Sequence, residues 1–266
     1  MALCTQLAVE DGCMVYLGAR SVTKGTAAIE QIVSANPAAA GKIELLPLDV
    51  CDESSVRAAA ASLKSKLGDT SLYGLVNNAG IGGAHGPTAA EIMNTNWDGP
   101  RRVVAAFLPL LHPTEGRVVH VGSGAGPGFV ASLTAAEKPL FCTCPPSEEA
   151  LDEFARAKMA QAAFAASSMM TGAYGLSKAL LSAWTMLTAK QHPSITWACC
   201  SPGFINTALT AGFGASKSPE EGTVSIRKCL FQPLAGNGWY YGSDGLRSPY
   251  HYMRNPGEPE YDGTPP

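Results

Sequence analysis

Charge is scarce in this chain. Of its 266 residues only 15% are Asp, Glu, Lys or Arg, against 46% hydrophobic, and the net charge is −3. Nothing here offers the basic footprint that nucleic acid or an anionic membrane surface requires. No apolar run approaches the roughly 20 residues that span a bilayer. The opening Met1-Ala2-Leu3-Cys4-Thr5 has no basic residue ahead of its apolar ones, so no signal peptide is expected. Histidines number five, and the eight cysteines (4, 13, 51, 142, 144, 199, 200 and 229) never form Cys-x-x-Cys. Neither a metal site nor a disulfide framework is expected, and the default is free thiols in a cytoplasmic protein.

What is present is an alternation of short apolar runs and longer amphipathic ones. Residues 2 to 10 read as a helix stopped by Asp11-Gly12. Strands are expected at 14–18, 42–48, 72–76, 117–121, 195–200 and 239–241. Helices are expected at 23–34, 53–67 with Asp52 as N-cap, 88–111, from Ala173 onward, and at 219–230. Strands that are apolar throughout and alternate with helices predict an α/β fold, with a parallel sheet covered on both faces. Ligands of such sheets sit beyond the carboxyl ends of the strands. Arg20, Asp49, Asn77-Asn78-Ala79-Gly80, Ser123 and Pro202-Gly203 all fall at strand ends and are expected to converge. No repeat or linker divides the chain, so a single domain, 1–266, is expected, with a loop-rich tail at about 246–266.

The helix opening Ala173-Tyr174-Gly175-Leu176-Ser177-Lys178 carries the chemistry. Tyr174 and Lys178 stand four residues apart, one turn of helix on one face. A phenol has a pKa of about 10 in water, and a nearby ammonium favours its ionised form. Such a pair suits proton exchange with a carbonyl or alcohol oxygen. Alone it is a weak signal, because Tyr-x-x-x-Lys arises by chance on surface helices.

Together with Asn77-Asn78-Ala79-Gly80, Asn96 within Asn94-Thr95-Asn96-Trp97-Asp98-Gly99, Ser123, and Pro202-Gly203 followed by Thr207, that helix resembles the short-chain dehydrogenase/reductase family over residues 2 to about 245. The resemblance implies a Rossmann-type doubly wound sheet and NAD(P)-dependent interconversion of carbonyls and alcohols. Tyr174 would be the acid/base. Lys178 would assist it and bond the nicotinamide ribose, Ser123 would hold the substrate oxygen, and Asn96 would complete a water-borne proton relay. Asn94 competes for that last role, but Asn96-Trp97-Asp98-Gly99 fits the pattern better. Asp49 and Val50 resemble the adenine pocket, and Asn77, Ala79 and Gly80 the adenosine-side turn. Pro202, Gly203, Ile205 and Thr207 would complete the cofactor contacts. At the end of the first expected strand stand Arg20 and Ser21 rather than an acid. A guanidinium meets a phosphate with two parallel hydrogen bonds, so NADP is expected.

Two departures shape the expectation. Fifty-one positions separate Ser123 from Tyr174, far more than in most of the family. The excess, at about 127–168, contains the helix start Pro145-Pro146-Ser147-Glu148-Glu149 and resembles the helical lid of the carbonyl-reductase branch. There the lid covers a surface that others use for tetramer assembly, so a monomer is expected. Phe204, with Met169 and Met170, is a candidate apolar wall for the substrate, although the two methionines read equally well as core. The second departure is the absence of the family's first strand and its Thr-Gly-x-x-x-Gly-x-Gly turn. The absent strand would lie between those ending at Arg20 and Gly80 and leave backbone groups there without partners. The expected activity is NADP-dependent reduction of a ketone, aldehyde or quinone, and the alternative is a non-catalytic or regulatory chain unable to hold a dinucleotide.

Overall fold

The computed structural model describes residues 1–82, 86–161, 164 and 170–264, and the chain divides into two compact units, Met1–Ser71 with Arg102–Leu110, and Leu72–Arg101 with Leu111–Pro266.

In the first unit, helix α1 (Ala2–Val9), strand β1 (Val15–Ala19), helix α2 (Val22–Ala35), strand β2 (Ile43–Pro47) and helix α3 (Glu53–Leu67) follow the expected order. β1 and β2 pair in parallel, Val15 opposite Ile43 and Ala19 opposite Pro47. Gly25 lets α2 lie close to the sheet, because a methyl group there would meet the Leu45 side chain. The core of this unit is small: Ala8, Val15, Ile32, Ala39 and Ile43, with Leu7, Leu17, Ile29 and Val33 packed around it. Both long helices carry side-chain caps. Ser21 accepts from the Lys24 amide, and Asp52 from those of Ser54 and Ser55, satisfying donors that a helix start otherwise leaves open.

The second unit holds the larger sheet, in the order β3 (Gly74–Asn77), β4 (Arg117–Val121), β5 (Thr196–Cys200), β6 (Trp239–Tyr241), all parallel. Helix α4 (Ala89–Met93) opens on a Thr88/Glu91 capping box. It continues through a π-turn, Asn94–Asp98, into α5 (Gly99–Phe107). The helix expected over 88–111 therefore exists but changes register in its middle. After β4 come α6 (Ala125–Ala131), α7 (Pro139–Cys142) and α8 (Glu148–Met159), the last started by Ser147 as the Pro-Pro-Ser signal implies. The buried helix α9 (Ala173–Gln191) follows, then α10 (Val224–Phe231) before β6. The Arg117 guanidinium donates to the Cys229 and Gln232 carbonyls at 2.8 Å each, closing the C-terminal end of α10 with a cation, where the helix dipole favours one.

The strands form two parallel sheets, one in each unit. β1 pairs only with β2, and β3 only with β4, so among the described residues each has one side without a strand partner. In each unit the open side belongs to that unit's own sheet. Its consequence is visible in burial: β4 and β5 are buried over their last four residues, whereas β3 is buried only at Asn77 and β1 only at Val15.

Candidate active site

The second unit brings its candidate residues together around α9. Lys178 is 5% exposed, and its Nζ donates to the Val121 carbonyl at 2.8 Å, which ties the helix to the end of β4. The same Nζ lies 5.7 Å from the centroid of the Tyr174 ring. A methyl group on Gly80 would stand 3.5 Å from Lys178 Nζ and 3.3 Å from Asn96 Oδ1. The end of β3, the π-turn and α9 therefore meet at one point. A methyl group on Gly82 would meet both Leu209 and the edge of the Tyr174 ring.

Asn96 is wholly buried, and its amide is spoken for. Its Oδ1 accepts from the Ile81 amide at 2.9 Å, while Nδ2 donates to the Ile81 carbonyl at 2.8 Å and to Ser177 Oγ at 3.2 Å. Ser177 in turn donates to the Tyr174 carbonyl at 2.8 Å. Asn96 is thus joined to the Tyr174 helix, and Asn94, two residues earlier, is half-buried. The π-turn makes this possible, since the extra residue in the turn rotates Asn96 inward.

Ser123 follows β4. Its Oγ accepts from the Ala125 amide at 3.2 Å, which engages its acceptor side and leaves the O–H to serve as a donor. Helix α6, which starts there, abuts α9 so closely that a methyl group on Gly126 would lie 3.0 Å from the carbonyl carbon of Lys178. A methyl group on Gly175 would collide with the Met170 carbonyl oxygen. Met170 itself packs on Gly128 of α6 yet is 36% exposed, so it is not a core residue, and Met169 lies outside the described residues. Met253, from the tail, rests on Gly124, and Phe204 is 46% exposed.

Beyond β5, Gly203 takes a positive φ of 89°, which only glycine adopts without strain. Ile205 is buried against Gly222, and Thr207 caps the turn 208–210 with the help of Thr210. Asn77 is buried and donates through Nδ2 to His120 Nδ1 at 3.2 Å, its in-register neighbour on β4. Ala79 and Gly80 are exposed.

In the first unit, Arg20 is exposed immediately after β1, and Ser21 spends its oxygen on capping α2. Asp49 Oδ1 accepts from the Cys51 amide at 2.9 Å, and the Val50 carbonyl accepts from Arg102 at 3.3 Å.

Three features escaped the sequence reading. His120 is one: burial, then the Lys178 charge, pushes its pKa down to about 3, so the ring is neutral. Because Asn77 donates to Nδ1, the proton sits on Nε2, which has no hydrogen-bond partner. A histidine in the apolar run Arg117-Val118-Val119-His120-Val121 was the available signal. Ser177, between the two conspicuous residues of its helix, is another. The third is the group Trp97, Arg101, Glu148, Asp152 and Trp184, whose members are too far apart in sequence to form a motif. Burial pushes the Cys199 thiol up to about 12, in line with an inert packed residue. Among the described residues no cluster of His, Cys, Asp and Glu could hold a metal ion, and no helix is long and apolar enough to cross a membrane.

Comparison with known proteins identifies the family. The family model described as short chain dehydrogenase matches residues 1–138. Short-chain dehydrogenase/reductase 1 of Saponaria officinalis is 30% identical over 280 residues, covering 91% of this chain and 89% of that one. This chain belongs to the short-chain dehydrogenase/reductase family. Among solved structures, salutaridine reductase from Papaver somniferum superposes with a TM-score of 0.76 at 25% identity, over 90% of this chain and 94% of that one. Menthone neomenthol reductase from Mentha piperita gives 0.71 at 25% identity, over 91% and 94%. Membership makes this an oxidoreductase of the short-chain dehydrogenase type, with the Rossmann-type α/β architecture of its relatives.

Proposed function

We propose that the chain reduces a bulky ketone, aldehyde or quinone with NADPH, with Tyr174 as the general acid. The observation that carries this reading is the meeting of Asn96 Oδ1 and Lys178 Nζ at Gly80, beside the Tyr174 ring. Each unit, taken by itself, offers residues suited to part of a nicotinamide dinucleotide. Gly80 leaves room beside the Lys178 ammonium, which suits a ribose hydroxyl. Arg20, exposed ahead of a 14-residue helix with no acid in its first turn, supplies the cation that a 2′-phosphate requires. Asp49 and Val50 would take the adenine, Ala79 and Gly80 the adenosine side, and Pro202, Gly203, Ile205 and Thr207 the nicotinamide side. When bound, the cofactor supplies the hydride.

The side chains supply the rest. Ser123 donates its O–H to the substrate oxygen and orients the carbonyl. Tyr174 gives its proton to that oxygen, and the Lys178 ammonium offsets the charge left on the phenolate. Asn96 holds the turn through which the proton is replaced from water. Leu209, Met253 and Phe204 offer apolar contact, which suits a substrate with bulk beside its carbonyl. Two relatives carry names that refer to salutaridine and menthone, in keeping with that choice. The lid helices and the low charge support a cytoplasmic monomer.

Replacing Tyr174 with Phe tests the assignment. Turnover is expected to vanish while the fold and NADPH affinity remain, and retained turnover rejects Tyr174 as the acid. A second reading, a chain that keeps these residues but holds no dinucleotide, draws on the unpaired sides of β1 and β3. Titration with NADPH, followed by tryptophan fluorescence, separates the two: saturable binding excludes the second reading, and its absence in the folded chain excludes the first.

A further inference from the structure

The insertion returns one helix, α8, onto the elements that carry Asn96 and Tyr174, and it grips them with carboxylates. Asp152 accepts from Trp97 Nε1 at 2.9 Å and from both terminal nitrogens of Arg101 at 3.0 Å each. Glu148, one turn earlier on the same face, accepts from Arg101 Nε at 3.2 Å and Nη2 at 2.9 Å, and from Trp184 Nε1 at 2.7 Å. The Arg101 guanidinium also lies 4.6 Å from the Trp97 ring centroid, and the two indoles meet edge to face at 6.1 Å. Both tryptophans are buried, whereas the three charged groups keep part of their surface in water.

Partly exposed ion pairs contribute little to stability, and an apolar helix face would attach a lid as firmly. What carboxylates add is direction. A bidentate guanidinium and two indole N–H groups can be satisfied in only one arrangement. The two indoles belong to different elements. Trp97 directly follows Asn96 in the π-turn, and Trp184 stands on α9 with Tyr174, Ser177 and Lys178.

We propose that Glu148 and Asp152 are positioning residues of the active site: through Trp97, Arg101 and Trp184 they hold the Asn96 turn and the Tyr174 helix in fixed relation. The insertion then sets acid–base geometry. The link to turnover rests on the reading of Tyr174 as the acid. The clamp itself does not.

The test compares Asp152→Asn, Glu148→Gln and the double variant with the unchanged chain, and adds Arg101→Met in case a carboxylate variant fails to fold. Amide exchange at Ile81, whose N–H is held by Asn96, reports the turn without any turnover. Steady-state reduction of 4-nitrobenzaldehyde by NADPH reports the chemistry. Asp152→Asn is expected to speed Ile81 exchange by about tenfold or more, and to lower kcat by about tenfold with KM and NADPH affinity unchanged, in the range that slight misplacement of reacting groups produces. Asp152→Glu should restore much of both. Unchanged Ile81 exchange overturns the clamp. Faster exchange with unchanged kcat overturns the positioning role and leaves a lid attachment. If the unchanged chain reduces nothing, the Tyr174 reading falls, and the exchange result still decides the clamp.

Discussion

β4 and β1 are made of similar residues, Arg-Val-Val-His-Val and Val-Tyr-Leu-Gly-Ala, and they end up in different surroundings. β4 lies between β3 and β5 and buries Val118, Val119, His120 and Val121. β1 has a partner on one side only and buries Val15 alone. β3 repeats the lesson within the larger unit, for its Leu75 and Val76 stay half-exposed although the strand is apolar. In a parallel sheet, burial comes from neighbours on both sides and helices on both faces. A strand's own hydrophobicity only makes it eligible.

The largest test of this contrast is a pair of truncations. Val119→Ala should cost about 2 to 3 kcal/mol, as a closed core site does, and Val76→Ala about 1 kcal/mol or less. Urea midpoints measure both, and equal losses would break the comparison. A pH series sharpens it next. His120 is held near pKa 3 by burial, against about 6.5 when unfolded. Between those values the unfolded chain binds the extra proton, so this contribution is complete above about pH 6.5 and is lost as pH falls toward 3. His120→Gln keeps an acceptor for Asn77 and cannot titrate. Relative to it, the parent should lose roughly 2 to 3 kcal/mol between pH 7 and 4.5, and a constant difference would show that the ring is not enclosed. The smallest effect is expected at the other end of the contrast, in the smaller unit. Asp52→Ala removes a cap on α3, and amide exchange should quicken at Ser54 and Ser55 only. Quickening throughout β2 would mean that the small unit folds as one cooperative piece.

The sequence made the order of elements legible because helix starts announce themselves: Asp52 caps as expected, and Thr88 and Ser147 cap helices that begin where starts were expected. It made Tyr174 and Lys178 conspicuous because both lie within one turn of one helix. What could not be read was lateral. Asn77 meets His120 only through the register of β3 on β4, and Trp97 meets Asp152 across 55 positions of chain. Hydrogen bonds between distant segments leave no period in the sequence. The π-turn was hidden for a related reason. It is a break in periodicity, and a break inside an apolar stretch looks like ordinary variation.

That π-turn has a genetic consequence. An α-helix advances 100° per residue, and a π-turn hides one additional residue without lengthening the chain's path around the core. Deleting Thr95 would therefore let 89–107 close up as an ordinary helix, with its caps and its outer half unchanged. Every side chain across the repaired turn would shift phase, and Asn96 would swing off Ser177 and Ile81. A loss of one codon could thus spare the fold and uncouple the turn from the Tyr174 helix, a lesion that no count of buried residues would reveal.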